Sequence, residues 1–567
     1  MKKLLISLAA MLTLPLLGNA QETLRIGDKT YNVADVEEIT IANTRPTVAD
    51  VLARHTEYSI FSEALEATGL ADTLSIRNKF RVYEVSNHLW AGSTPYDSPT
   101  ECKVKFTLFA VDNETFRTIG ITDFASLKEK CIEWYGNAGW YNYPGMDKLS
   151  ISTGDDYTYT YNVVNMFVRY HILKAGMKYK KLVRCYDPED NNWNFAFGGE
   201  PHSYYETLLP NTIVKIWQPL YHNTGDSQNI WVNRYRMNNT LTNQVGTMGS
   251  EAMHPLMDEG ALVRKEKSDI YALNGYIHNV SKPLIYNLDA AYGVFYERMR
   301  IGINDILHEL ANNDLRFAKQ NEVDWLSSTN NNSFGSVCAI MPNDYFDNLK
   351  TNTERTSIAV FSSWPWRLWN NEDFGLSNNA DVCLRLPSVP TGRYEIRLGY
   401  PIQITGGKIQ LYLGTTNDPE KMYEFGDVFD TRFPDISIKE DRDSIGYKLL
   451  EEYDDYGVAS DMEMQTHGYM RAPASYAYGT YNTIKQPVGS ADELIANPKN
   501  SCRYEEGHNI MTIRKAVGMT YLEQQNDYWL RIKVIGNDNP DARRALDYIE
   551  LVPEGIVNNT NYTEDWY

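Results

Sequence analysis

Near residue 331 the spacing of apolar residues changes, and that change bounds the fold. Upstream, the stretch "EYSIFSEALEATGLADTL" (57–74) repeats at helical intervals. Ile60, Phe61, Ala64, Leu65 and Thr68 share one face, and Gly69 sits where a helix-ending glycine belongs. Downstream the period is two. Tyr394, Ile396, Leu398 and Tyr400 alternate in "GRYEIRLGYP", as do Ile409, Leu411 and Leu413 in "GKIQLYLG". Short alternating runs between Gly, Pro, Asn and Asp turns predict an antiparallel β-sandwich, preceded by a mixed α+β region. The 567 residues also exceed the roughly 250–300 at which one core stops growing, so several domains are expected.

The first twenty residues read as a cleavable export signal. Lys2 and Lys3 precede the apolar "LLISLAAMLTLPLL", and the small residues "GNA" end at Ala20. Pro15 interrupts an apolar run already too short for a membrane anchor. No cysteine precedes Cys102, which argues against a lipoprotein. The expected destination is the periplasm, the cell surface or the medium, with no membrane-spanning segment. A formal charge of −20 disfavours nucleic acid and anionic membranes as partners. Of six cysteines, Cys102, Cys131 and Cys185 lie in the first half and Cys338, Cys383 and Cys502 in the second, with no C-x-x-C pair. Buried thiols, with at most a bridge in each domain, fit that spacing better than a disulfide framework or a zinc ribbon.

Four pieces of the first half carry a family pattern. "YSIFSEALEATGL" forms the helix above. "FTLFAVDNETF" (106–116) runs as a buried strand into a helix, with Asp112 or Asn113 as N-cap and Glu114 in the first turn. "RYHILKAG" (169–176) ends another helical face, broken at Gly176, and "NGYIHNVSKPL" (274–284) holds a hairpin signal at Asn274-Gly275. In this order they resemble the fasciclin (FAS1) domain. The first signature departs at Val111, where that family usually has proline, and the closing signature departs at Ser281. The corner at 106–116 lacks the Gly-x-Ser-x-Gly of a nucleophile elbow and reads as structural. By resemblance, Tyr170 and His171 are candidate adhesion residues. The alternative is that both lie on an apolar helix face, where a histidine usually hydrogen-bonds within the core.

In the second half "VPTGRYEIRLGY", "GKIQLYLG", "YWLRIKV" and "ALDYIELVP" resemble galactose-binding-like sandwiches, a jelly-roll class that includes many carbohydrate-binding modules. The cluster "SSWPWRLWNNEDFG" is the candidate sugar site. Trp364, Trp366 and Trp369 would stack on sugar rings, with amides and charges beside them for hydroxyls. Tryptophans flanking a strand also seal sandwich edges and domain interfaces. Structural calcium is compatible with sandwiches of this type, though no acidic loop has ligand spacing, and no other cofactor is expected. His202 and Glu206 in "HSYYE" stand at i, i+4 without an evident third metal ligand.

The expected organisation is a signal peptide at 1–20, a leader at 21–45, a fasciclin domain with loop insertions at 46–288, a partly helical connection at 289–330, a β-sandwich at 331–555 and a tail at 556–567. Neither a Walker A loop nor H-E-x-x-H occurs, and no catalytic residue stands out. The leading expectation is an exported, non-catalytic adhesion or binding protein whose partner is a glycan or a cell-envelope protein. The alternatives are a carbohydrate-active enzyme or its targeting accessory, and a purely structural envelope protein.

Overall fold

The computed structural model describes residues 45–77, 97–136, 151–184, 202–218, 229–234, 260–318, 337–353, 356–362, 368–377, 380–402, 406–435, 438–448, 458–471, 512–535 and 543–558, with short pieces at 23–26, 29–32, 80–83, 89–90, 94–95 and 322–323. The protein is multidomain and mostly β, with many antiparallel sheets and short helices. None of the helices among the described residues is long and apolar enough to cross a membrane.

Helix α1 (Val48–Arg54) starts at a capping box in which Thr47 and Asp50 satisfy each other's backbone donors. Helix α2 (Ser59–Ala67) buries Ile60, Phe61, Ala64 and Leu65, the face expected from spacing. Gly69 ends it at φ 71°, and α3 (Leu70–Leu74) follows at once. Helix α4 (Asn113–Thr118) is capped by Asp112, whose side chain accepts from the Thr115 amide at 2.8 Å. Burial by itself would raise the Asp112 pKa. Lys267 at 2.8 Å, with the Thr115 donors, outweighs that and holds the carboxyl at about 2. Helix α5 (Val163–Tyr170) ends six residues before Gly176, because the chain turns there into a strand.

Strand β1 (Phe106–Ala110) is buried throughout, as its unbroken apolar run implies. It pairs antiparallel with β2 (Ile172–Leu173). A second sheet is built from β3 (His202–Glu206), β4 (Ile213–Trp217), β5 (Ile230–Val232) and β6 (Ala261–Val263) in sequence order. The closing hairpin, β7 (Ile270–Ala272) and β8 (Gly275–Asn279), completes the first sheet, with β8 parallel to β1. The hairpin loop is Leu273-Asn274, one residue earlier than the sequence signal. Gly275 already pairs with Ala272, and its glycine is required by close approach: a Cβ there would lie 1.9 Å from the Phe106 carbonyl oxygen. Asn274 is occupied elsewhere, donating to the Leu74 and Ile76 carbonyls and accepting from the Val48 amide, each at 2.9 Å.

The second half contains a five-stranded antiparallel sheet in the order Met299–Gly302, Tyr548–Pro553, Gly392–Pro401, Thr512–Leu522 and Tyr469–Arg471. Its first strand comes from the segment expected as a connection, so residues 299–302 add an edge to this sheet. A six-stranded sheet centres on Lys408–Gly414 and Trp529–Ile535, and a four-stranded one on Ser357–Ser362 and Asp373–Ser377. Tyr394, Ile396, Leu398 and Tyr400 are buried as their alternation implies. The opposite face is exposed at Arg393 but buried from Arg397 onward. Arg300, Glu550 and Arg397 lie in one cross-strand row, and Arg298 and Arg514 also reach Glu550. Arg300 stands 2.9 Å from the carboxylate, Arg514 3.3 Å and Arg397 3.5 Å. Burial would raise the Glu550 pKa, but these guanidiniums hold it well below the usual carboxylate range.

Cys102, Cys131 and Cys383 are buried free thiols and Cys338 is buried, while Cys185 and Cys502 lie outside the described residues.

Candidate binding groove

The residues singled out from sequence are placed as follows. Tyr170 and His171, at the end of α5, are both fully buried. The Tyr170 hydroxyl donates to the Ile213 carbonyl at 3.0 Å and accepts from Asn233 at 2.7 Å, joining α5 to the second sheet. His171 Nδ1 lies 2.8 Å from the Phe167 carbonyl oxygen, and Nε2 accepts from the Leu284 amide at 2.9 Å. That pattern fixes the neutral tautomer with hydrogen on Nδ1. Burial lowers its pKa to about 4. His278 is likewise buried, between the Met177 carbonyl and the Asp269 amide. Neither Tyr170 nor His171 presents a surface to a partner.

Trp364 and Trp366 lie outside the described residues. Trp369 is 2% exposed, with the Arg300 guanidinium 4.9 Å from its ring and the His202 ring at 5.1 Å. Its amide donates to the Asp547 carboxylate at 2.9 Å. It therefore packs strand β3 against the five-stranded sheet, which is the sealing role. His202 and Glu206 stand at opposite ends of β3, roughly 13 Å apart for four residues of strand, too far to share a metal. Glu206 pairs instead with Arg385 at 2.6 Å across the two halves.

A groove that sequence spacing did not signal opens beside the closing hairpin. It encloses about 830 Å³ between β7–β8, the 174–181 loop and the residues around Asp314. Seven cationic side chains line it against three acidic ones, on a chain whose net charge is −20. Part of that excess is compensated. Lys105 pairs with Asp314 at 3.2 Å, Lys181 with Glu322 at 2.8 Å, and Arg316 turns inward to Asp305 and Glu372. Burial lowers the Lys105 pKa, against the pull of Asp314. Lys103 and Lys178 are exposed and form no ion pair among the described residues. At the hairpin lip Tyr271 is 53% exposed, and its ring centroid lies 5.7 Å from that of its cross-strand neighbour Tyr276.

The arrangement suits a ligand with anionic groups for the lysines and a flat apolar face for Tyr271. The signal for it lay in three separated stretches, "KVK" at 103–105, "KYKK" at 178–181 and "IYALNGY" at 270–276, which only the fold brings together.

No protein-family model matches the chain, and no curated protein does. Among solved structures, a Paenibacillus xanthan lyase chain is similar at 13% identity with a TM-score of 0.19; the match covers 37% of this chain and 13% of that one. The chain thus spans about an eighth of that lyase's length, and a likeness at this level bears on neither fold nor function.

Proposed function

We propose that the chain is an exported, non-catalytic binding protein, with a fasciclin-like unit followed by a galactose-binding-like sandwich, and that the groove beside 270–276 takes an acidic glycan. The observation that carries this reading is the placing of Lys103 and Lys178, which have no ion pair among the described residues, with exposed Tyr271 in one concave site of a chain whose net charge is −20. Carboxylates of a uronic-acid sugar would meet the lysines, and a ring face would stack on the tyrosine. A neutral chain or a flat protein surface uses that combination less well. Two of the groove's three acidic residues, Asp314 and Glu322, are held in ion pairs with lysines, which suits a binding surface better than acid catalysis.

The test is calorimetric titration of the full mature chain with uronic-acid oligosaccharides and with neutral oligosaccharides of matched length. Saturable binding of the acidic series, weakened by salt, supports the reading. Equal affinity for the neutral series, or no binding to either, overturns it.

A further inference from the structure

Where the two halves meet, one imidazole and two carboxylates converge. His308 and Glu309 open the short helix His308–Asn312, and Asp347 lies just before the strand Leu349–Thr351. His308 Nε2 is 3.4 Å from Glu309 Oε1 and 3.7 Å from Asp347 Oδ2, and one ligand atom from each of the three lies within 4.8 Å of the others. Ligands at about 2.0–2.1 Å from a tetrahedral zinc ion stand roughly 3.4 Å apart, so two edges of this triangle already have nearly that length.

A second observation points to a cation. Glu309 is 2% exposed, and while its Oε1 accepts the Asp347 amide at 2.7 Å, its Oε2 has no hydrogen-bond partner among the described residues. A buried carboxylate oxygen left this way costs free energy that a cation would recover. Arg81 compensates only part of the cluster. Its guanidinium reaches Asp347 Oδ1 at 2.9 Å and Glu309 Oε1 at 3.5 Å, and its side chain is 43% exposed. One guanidinium against two carboxylates leaves a net negative charge on these three side chains, beside the His308 ring. A nitrogen-and-oxygen ligand set of this kind suits zinc and its neighbours better than calcium.

We propose that His308, Glu309 and Asp347 form a binding site for a divalent transition-metal cation of the zinc class, and that the ion pins the junction of the two halves. The elements around it support that role. Asn312 holds the 174–176 loop through the Lys174 carbonyl at 3.2 Å and the Gly176 amide at 2.8 Å, and Asn313 accepts from the Lys103 amide at 3.0 Å. Asp347 belongs to the other half and its amide already donates to Glu309 Oε1 at 2.7 Å, so the ion would add a further tie across the junction. Three protein ligands leave one position for water.

The test uses the full mature chain, stripped with chelator and titrated with zinc at neutral pH, followed by thermal unfolding. One equivalent should bind and raise the melting temperature, and cobalt in its place should give the visible d–d bands of a low-coordinate nitrogen–oxygen site. His308→Gln and Asp347→Asn should each weaken binding at least tenfold. Asp347 is 63% exposed at its side chain, so its variant keeps the fold even if Glu309→Gln does not. Absence of one-equivalent binding by the parent chain overturns the proposal. So does unchanged affinity in both the His308 and Asp347 variants, which would put the ion elsewhere.

Discussion

The His171 Nε2 atom accepts the backbone amide of Leu284 at 2.9 Å, tying the end of α5 to the chain just beyond the closing hairpin. Protonation of Nε2 would set two N–H groups against each other in a site with no water access. The folded pKa of about 4 lies below the ordinary value near 6.5. Between those limits the unfolded chain binds a proton that the folded one refuses, so stability falls as pH drops from 6.5 and the loss is complete below 4. The shift corresponds to about 3 kcal/mol at most. Urea unfolding at pH 7.5 and 4.5 should show this decrease. His171→Gln, which cannot titrate, should be less stable at pH 7.5 but lose less on acidification.

Glu550 supplies a second, more acidic transition. Its folded pKa is depressed, so its contribution is present above the unfolded carboxylate value and disappears as pH falls further. Glu550→Gln removes the charge shared by Arg298, Arg300, Arg397 and Arg514. Breaking a buried ion network in this way costs about 3–5 kcal/mol. Denaturant midpoints of variant and parent would measure it, and a loss below 1 kcal/mol would contradict the assigned role.

Gly275 and Gly120 make a matched comparison. Both have positive φ, 153° and 84°, but a Cβ at Gly275 meets the Phe106 carbonyl whereas one at Gly120 meets nothing within 4 Å. Gly120→Ala should cost only the backbone term, about 1–2 kcal/mol. Gly275→Ala must also push β8 from β1, and should lose several kcal/mol more or fail to fold. Equal melting temperatures for the two variants would show that the β1–β8 contact is softer than its geometry implies.

In the groove, Lys178→Glu replaces attraction with repulsion and should weaken an acidic oligosaccharide about tenfold at low ionic strength, the difference shrinking in high salt. Tyr271→Ala should weaken binding by a factor that salt does not change, because it removes stacking rather than charge. Both side chains are exposed, so circular dichroism should match the parent.

Local chemistry made much of the first half legible. The face of α2, the glycine at its end, the Asp112 cap and the hairpin each depend on residues a few positions apart; the structure has the first three as expected and the hairpin with its loop one residue earlier. Readings that needed distant partners fared differently. Gly275 looked like a turn residue until Phe106, far away in sequence, was found against it. Alternation in "GRYEIRLGYP" identified one buried face, but Arg397 on the other face is buried too, since Glu550 lies opposite it on the next strand.

What the sequence determined alone is therefore set by short-range physics: helix and strand periodicity, caps, turns, the sign of the net charge and the change of texture near 331. Tertiary structure decided which polar residues are core and which are surface. It buried Tyr170, His171 and Trp369, and it gathered Lys103, Lys178 and Tyr271 into one groove. The reason is that a hydrogen bond or ion pair depends on distance in space, and strands far apart in the chain become neighbours only once the sheets have formed.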